Sequence, residues 1–129
     1  MSYVLIVDDE PDSSEFVSLY LRRLGFTTRC VANGRAALQA LVNQTPDAIV
    51  LDVLMPEMDG ISLLEVLRSY LRWYNLPVVV LSAHANKKQL ERARQLGVEH
   101  VFQKADFKLA DLAEKLQSII PPSQQQKGA

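Results

Sequence analysis

The stretch VLIVDDE, residues 4–10, places four apolar residues directly before three acidic ones. An apolar run of this kind predicts a buried strand. The strand does not account for Asp8, Asp9 and Glu10, because like charges held side by side repel one another. We therefore expect a positive group from elsewhere in the chain to offset these acids.

The overall composition indicates one globular domain. The chain has 129 residues, of which 48% are hydrophobic and 22% charged, so it can bury a core. A formal net charge of −1 argues against direct nucleic-acid binding as its main role. No apolar run reaches the roughly 18 residues of a membrane span, and the N-terminus lacks the basic and apolar segments of a signal peptide. These features predict a cytoplasmic protein that does not act at a membrane.

Short apolar runs alternate with helical patterns along the chain. The runs lie at residues 3–7, 27–31, 48–51, 78–81 and 100–102. Because they are rich in Val, Ile and Leu and do not alternate with polar residues, we predict strands that are covered on both faces. Cys30, which lies in the second run, is predicted to be a small core residue.

The segments between these runs predict five helices. In the first, Asp12 and Glu15 resemble a capping box, and Gly25 is a natural stop. An apolar stripe at helical spacing is predicted along this helix: Phe16, Leu19, Tyr20 and Leu24. The other helices are predicted at residues 35–42, from residue 60, at 87–96 and after residue 106, with Asp59 and Asp106 as N-caps.

Five β-α units in succession, joined by right-handed crossovers, predict an α/β fold with a single five-stranded parallel sheet and helices on both of its faces. We place this domain at residues 1–120. Residues 121–129 begin with two prolines and are otherwise small or polar, which is typical of a flexible C-terminal tail or linker.

Functional groups follow four of the five predicted strands. In an open α/β sheet, ligands bind beyond the carboxyl ends of the strands, so the residues found there are candidates for a common site. The first strand is followed by the acid cluster, the third by Asp52, the fourth by Ser82 and the fifth by Lys104. The sequence therefore predicts several carboxylates, one hydroxyl and one ammonium at the same edge of the sheet.

This combination of groups favours phosphoryl chemistry with a metal ion. Oxygen ligands suit a hard cation, and Mg²⁺ commonly binds through one or two carboxylates, waters and a phosphate. Lys104 supplies a point charge for a phosphoryl group, and Ser82 can donate a hydrogen bond to it. A carboxylate could then attack phosphorus while the cations neutralise the other phosphoryl oxygens.

Over residues 3–120 the chain resembles the receiver domain of two-component response regulators. The resemblance is carried by VLIVDDE, DAIVLDVLMPEMDG (residues 47–60), VVVLSA (residues 78–83) and Lys104. It implies a flavodoxin-like fold in which Asp52 is the phosphoacceptor and Ser82 and Lys104 hold the phosphoryl group. It also implies that Asp9, Asp52 and the backbone carbonyl of Leu54 bind Mg²⁺, with Asp8 acting through water.

The sequence departs from this family at several positions near the site. Ala105 follows Lys104 where proline and a cis bond are usual; a cis bond before alanine costs about 3–4 kcal/mol, so we predict a trans bond. Val101 stands where an aromatic residue usually couples the site to the surface. Leu54 and His84 occupy two variable positions beside the site, and an apolar Leu54 should hinder attack by water.

We interpret the chain as a phosphoacceptor rather than an enzyme, one that catalyses only its own phosphotransfer and dephosphorylation. The expected partners are a sensor histidine kinase or histidine phosphotransfer protein as donor, and a downstream protein or effector domain as target. One alternative is a pseudo-receiver that serves only as a protein-interaction module. Another is a Mg²⁺-dependent phosphohydrolase with an aspartyl nucleophile, but such enzymes need a second acid two residues later, where Leu54 stands.

Overall fold

The computed structural model describes residues 2–55 and 58–120. Its strands are β1 Tyr3–Val7, β2 Thr27–Val31, β3 Ala48–Leu51, β4 Val78–Ser82 and β5 His100–Gln103, and its helices are α1 Pro11–Arg23, α2 Gly34–Asn43, α3 Gly60–Arg68, α4 Lys87–Gln95 and α5 Leu109–Ile119. The strands are parallel in the order β2-β1-β3-β4-β5. This architecture confirms the predicted (βα)₅ flavodoxin-like fold. The tail predicted at 121–129 lies outside the described residues.

The core has two layers, one on each face of the sheet. Leu5, Leu51 and Val80 face a cluster built with α2 and α3, whereas Ile6 and Val50 face a cluster built with α1 and α5. Strands β1, β3 and β4 are buried at every position, because helices cover both faces. None of the helices within residues 2–55 and 58–120 has the length and apolar character that crossing a bilayer requires.

The two edge strands are less buried than predicted. β2 and β5 each pair with one neighbour, and most of their side chains are exposed or half-buried. The prediction that Cys30 is a core residue is wrong, because it lies on the edge strand β2 and is exposed. A run of apolar residues does not by itself distinguish an edge strand from a central one.

The apolar stripe predicted along α1 packs against the core only at Tyr20, and the prediction is wrong for its other members. Phe16 is 61% exposed, and Leu19 and Leu24 are also exposed. The face that packs against the sheet instead combines small and apolar residues, namely Ser14, Val17, Ser18 and Leu21. The buried serines have hydrogen-bond partners, since the Ser14 hydroxyl donates to the Pro11 carbonyl at 3.2 Å and the hydroxyls of Ser18 and Thr28 lie 2.6 Å apart. Small satisfied side chains let α1 approach β2 closely, which leaves the larger apolar residues outside.

Helix termini agree with the prediction in part. Asp59 caps α3 by accepting a hydrogen bond from the Ser62 amide at 2.8 Å, and Gly25 adopts a positive φ of 98° after α1, both as predicted. Asp12 and Asp106 do not act as N-caps. Within the described chain, α1 begins at Pro11 and α5 at Leu109, and neither start has a side-chain capping bond. Proline is well suited to the first helical turn, which explains the earlier start of α1.

Gly60 lets the start of α3 lie against the strand end that carries Asp52. A Cβ atom at this position would lie 2.5 Å from the Val53 Cα and 2.7 Å from the Asp52 carbonyl oxygen. Both contacts are with backbone, which cannot turn away as a flexible side chain can. The glycine therefore holds the backbone around Asp52 in place.

We predict that Gly60→Ala destabilises the fold by about 1–3 kcal/mol, the usual cost of overpacking, and that urea unfolding will show the loss. Ser62→Ala, in the same turn of α3, is the matched control because it adds no atom beside Val53. Equal stability of the Gly60→Ala protein and the unmutated protein would show that this close approach is not required.

Candidate functional site

Residues from four strand ends meet at the carboxyl edge of the sheet. Asp8 follows β1, Asp52 follows β3, Ser82 ends β4 and Lys104 follows β5. The backbone fixes their positions, because the Asp52 amide donates to the Val7 carbonyl at 2.9 Å and the Lys104 amide donates to the Ser82 carbonyl at 3.1 Å. The sheet itself therefore brings together the groups that the sequence predicts at one edge.

Lys104 is the positive group that offsets the acids. Its Nζ lies 2.8 Å from Asp8 Oδ2, 3.0 Å from Glu10 Oε1 and 3.3 Å from Asp52 Oδ2. Burial opposes the charged form of Lys104, but the hydrogen bonds to Asp8 and Glu10 and the charges of Asp8 and Asp52 outweigh it and raise the pKa of Lys104 above its usual range. The ammonium is therefore protonated throughout the physiological pH range.

The two carboxylate oxygens of Asp52 have different environments. Oδ1 accepts hydrogen bonds from the Ser82 hydroxyl at 2.8 Å and from the Leu54 amide at 2.9 Å, whereas Oδ2 faces the Lys104 ammonium. The Asp52 side chain is only 4% exposed. A hydroxyl, an amide and an ammonium thus converge on one buried carboxylate.

Alanine after Lys104 does not remove the lysine from the site. The Lys104–Ala105 peptide bond is trans, as predicted. The Lys104 backbone is anchored by its bond to the Ser82 carbonyl, which precedes the altered residue. The position of the ammonium is therefore set by β5 and by the acids it contacts.

The acidic groups fit a divalent cation by their chemistry. Oxygens of Asp8, Glu10 and Asp52 all lie within 4.8 Å of one another. Three carboxylates around one ammonium leave two negative charges uncompensated, and oxygen ligands suit a hard ion such as Mg²⁺. The metal-ligand assignments made from the sequence, to Asp8, Asp9, Asp52 and the Leu54 carbonyl, remain predictions.

The other two residues of the acid run, Asp9 and Glu10, are both exposed but differ in their contacts with the site. Asp9 is exposed and is not a member of this group among the described residues. Glu10 has a side chain that is 61% exposed and is paired with Lys104. Its backbone amide donates to Asp8 Oδ1 at 2.9 Å, which bends the chain so that its carboxylate turns towards the site. Its place in an unbroken acid run was the signal for this role.

His84 is exposed beside the site.

Comparison with known proteins identifies the family. The model of the response regulator receiver domain matches residues 4–117. The Regulator of RpoS of Escherichia coli (strain K12) is 38% identical over 120 residues, covering 93% of this chain and 35% of that protein. The transcriptional regulatory protein GltR of Pseudomonas aeruginosa is 30% identical over 121 residues, covering 94% of this chain and 50% of that protein. The chain thus spans a third to a half of the length of these relatives.

Solved structures show the same architecture. The receiver domain of a signal transduction histidine kinase from Syntrophus aciditrophicus has a TM-score of 0.86 at 29% identity, covering 100% of this chain and 97% of that one. The receiver domain of sensor histidine kinase PA1611 from Pseudomonas aeruginosa, which has a magnesium ion coordinated in its active-site cleft, has a TM-score of 0.82 at 31% identity, covering 92% and 97%. This chain belongs to the response regulator receiver family of two-component systems.

We predict that Lys104→Met destabilises the metal-free protein by about 3–5 kcal/mol, the usual cost of leaving buried charges unpaired. Urea unfolding in the presence of a chelator measures the loss. Adding Asp8→Asn to the same protein should recover part of it, because fewer charges then remain uncompensated. Lys108→Met, at an exposed position, is the matched control. If Lys104→Met were as stable as this control, the ammonium would not be what balances the carboxylates.

Proposed function

We propose that this domain accepts a phosphoryl group on Asp52 and that this changes its affinity for a partner. The convergence of Ser82, Lys104 and the Leu54 amide on the Asp52 carboxylate is the observation that carries the proposal. These groups supply hydrogen bonds and positive charge where a phosphoryl group attached to Asp52 would place its oxygens.

The proposed step is a phosphoryl transfer from a histidine side chain to Asp52. An Asp52 carboxylate oxygen forms a bond to phosphorus, while the bond from phosphorus to the imidazole nitrogen of the donor breaks and that nitrogen keeps the electron pair. Ser82 exchanges its hydrogen bond with Asp52 for one with a phosphoryl oxygen, and Lys104 neutralises another. Asp8, Asp9, Asp52 and the Leu54 carbonyl would hold Mg²⁺, which supplies further charge neutralisation at the phosphoryl oxygens.

The surroundings of Asp52 favour this proposal over the alternatives. Leu54, two residues after Asp52, has an apolar, half-buried side chain. It cannot serve as the second catalytic acid that a phosphohydrolase of this kind needs, which argues against turnover of an external substrate. A pseudo-receiver would have no need of a buried carboxylate with three donors around it. We therefore propose a phosphoacceptor that catalyses only its own phosphorylation and dephosphorylation, in the cytoplasm, with residues 1–120 as the receiver domain.

The exposed apolar face of α1 is where we propose that the phosphodonor protein docks. α1 begins at Pro11, directly after the acid cluster, and Phe16 lies about 8 Å further along the helix axis. Phe16 and Leu19 are exposed although they are large and apolar. A sensor histidine kinase or histidine phosphotransfer protein that covers them would bring its histidine to the same edge of the sheet as Asp52.

We predict that incubation with Mg²⁺ and a small phosphodonor such as acetyl phosphate adds the mass of one phosphoryl group to the intact protein. Asp52→Asn should abolish the added mass, and a chelator should prevent it. Asp59→Asn is the matched control, because Asp59 caps α3 rather than facing Lys104. A phosphorylated Asp52→Asn protein, found by intact-mass measurement, would refute the assignment of the acceptor.

We predict that Phe16→Ser slows phosphorylation by a histidine phosphotransfer protein about tenfold or more but leaves phosphorylation by acetyl phosphate unchanged. The small donor does not need the docking surface, whereas the protein donor loses an apolar contact near the centre of its interface. Val42→Ser, an exposed apolar position on α2, serves as control. Equal slowing with both donors would mean that Phe16 acts on the site rather than on docking.

A further inference from the structure

An apolar surface lies near the amino ends of the strands, at the opposite end of the sheet from Asp52. The connection between α3 and β4 carries Leu71, which is 91% exposed, together with Tyr70 and Tyr74, which are each just over half exposed. Val42 at the end of α2 is also exposed, and it adjoins this connection because Arg72 Nη2 donates to the Val42 carbonyl at 3.4 Å. We call Val42, Tyr70, Leu71, Arg72 and Tyr74 the α3–β4 patch.

The patch rests on a base of buried contacts and hydrogen bonds. Trp73 is buried beneath it, with its ring edge-on to Tyr70 at 5.5 Å between centroids and its indole nitrogen 3.4 Å from the Thr45 hydroxyl. Arg68 ties the connection to its surroundings by donating to the carbonyls of Trp73, Leu76 and Leu96 at 3.2, 2.9 and 2.6 Å. A surface held in this way loses little conformational freedom when a partner binds.

The patch is separate from the phosphoryl-acceptor site. Each helix runs back against the direction of the strands, so the end of α3 lies at the amino edge of the sheet, whereas Asp52 lies at the carboxyl edge. Neither the core nor the proposed chemistry explains why Leu71 should be almost fully exposed. Tyrosine and arginine are the residues of the patch that are enriched at interaction hot spots, and Leu71 adds exposed apolar area beside them.

The charge of the patch indicates what covers it. Arg72 is the only charged residue in residues 42–45 and 69–75, and its guanidinium lies 5.5 Å from the centre of the Trp73 ring. In a symmetric contact with a second copy, the same surface would meet itself and bring two Arg72 side chains together. The neighbouring acid is Glu99, which lines a cavity with Tyr74. The segment 121–129 offers Lys127 as its charged side chain and no apolar residue larger than proline, so it matches the patch in neither charge nor apolar character.

The size of the patch indicates a short partner segment. Aromatic side chains bury about 150–250 Å² each, so the half-exposed tyrosines with Leu71 and Val42 offer a few hundred Å². This is well below the roughly 800 Å² per partner of a standard interface between two globular proteins. A lipid surface is less favoured, because one arginine contributes only about 1 kcal/mol of attraction to anionic lipids.

We propose that the α3–β4 patch binds a short amphipathic segment of another protein, with apolar side chains packed on Tyr70, Leu71 and Tyr74 and a carboxylate paired with Arg72. Its binding does not require phosphorylation of Asp52. Such a contact would tether the domain to a partner at one edge of the sheet while the other edge exchanges phosphoryl groups.

The test is a selection from a library of short random displayed peptides on the full chain, with counter-selection on the Leu71→Ser protein. Leu71 is almost fully exposed, so this variant folds as the unmutated protein does. We expect the selected peptides to combine large apolar residues with Asp or Glu. Binding of the most enriched peptide should be about tenfold weaker or worse with Leu71→Ser and with Arg72→Gln. It should be unchanged with Asp52→Asn and with Leu24→Ser, a control at an exposed leucine of α1.

Three outcomes would overturn the proposal. The first is a selection that yields no peptide dependent on Leu71, or one that yields basic peptides. The second is binding to vesicles of phosphatidylglycerol and phosphatidylcholine that is lost in Leu71→Ser, which would assign the patch to a lipid surface. The third is self-association in sedimentation that is lost in the same variant, which would assign it to a second copy of the chain.

Discussion

The contact of the Lys104 ammonium with Asp8 and Asp52 is the interaction on which the site depends. Lys104 is 52 residues from Asp52 and 94 residues from Glu10 in the chain, so this contact exists only when β1, β3 and β5 occupy one sheet. The single positive charge makes two buried carboxylates tolerable. It does not neutralise the whole cluster, and the remaining negative charge is what suits the site to a divalent cation.

The fold and the principal side chains of the site could be predicted because they follow from a periodic pattern. Central strands are covered on both faces and read as continuous apolar runs, and in a parallel sheet the residue that follows each strand must lie at one edge. Asp8, Asp52, Ser82 and Lys104 are found together for that reason. Gly25 could be predicted for a related reason, since the positive φ that ends α1 excludes most other residues.

The features that could not be predicted from the sequence are those for which two packing arrangements are nearly equivalent. Helix α1 has an apolar stripe and a second face with two serines, and the serines can be buried only because the Pro11 carbonyl and Thr28 satisfy them. Cys30 is exposed because β2 lies at the edge of the sheet, which depends on strand order. Whether Asp9 or Glu10 turns towards Lys104 depends on the direction of each side chain rather than on its charge. These outcomes depend on contacts between residues far apart in the chain, or on a small rotation of a helix or side chain.

The packing around Val101 indicates how far β5 could respond to phosphorylation of Asp52. Val101 packs against the cluster on the α2–α3 face, whereas Phe102 packs on the opposite face. Its ring is tilted by 59° to the ring of His100, with 4.5 Å between the two centroids. Valine has no ring to reorient and no hydroxyl to pair, so it can fill little of the space that Ser82 would vacate on turning to a phosphoryl group. The segment that continues from Ser82 is better placed to respond, because within four residues it reaches Asn86, whose capping box with Gln89 fixes the start of α4. We therefore expect coupling from the site to the surface of this chain to rest more on the β4–α4 connection than on β5.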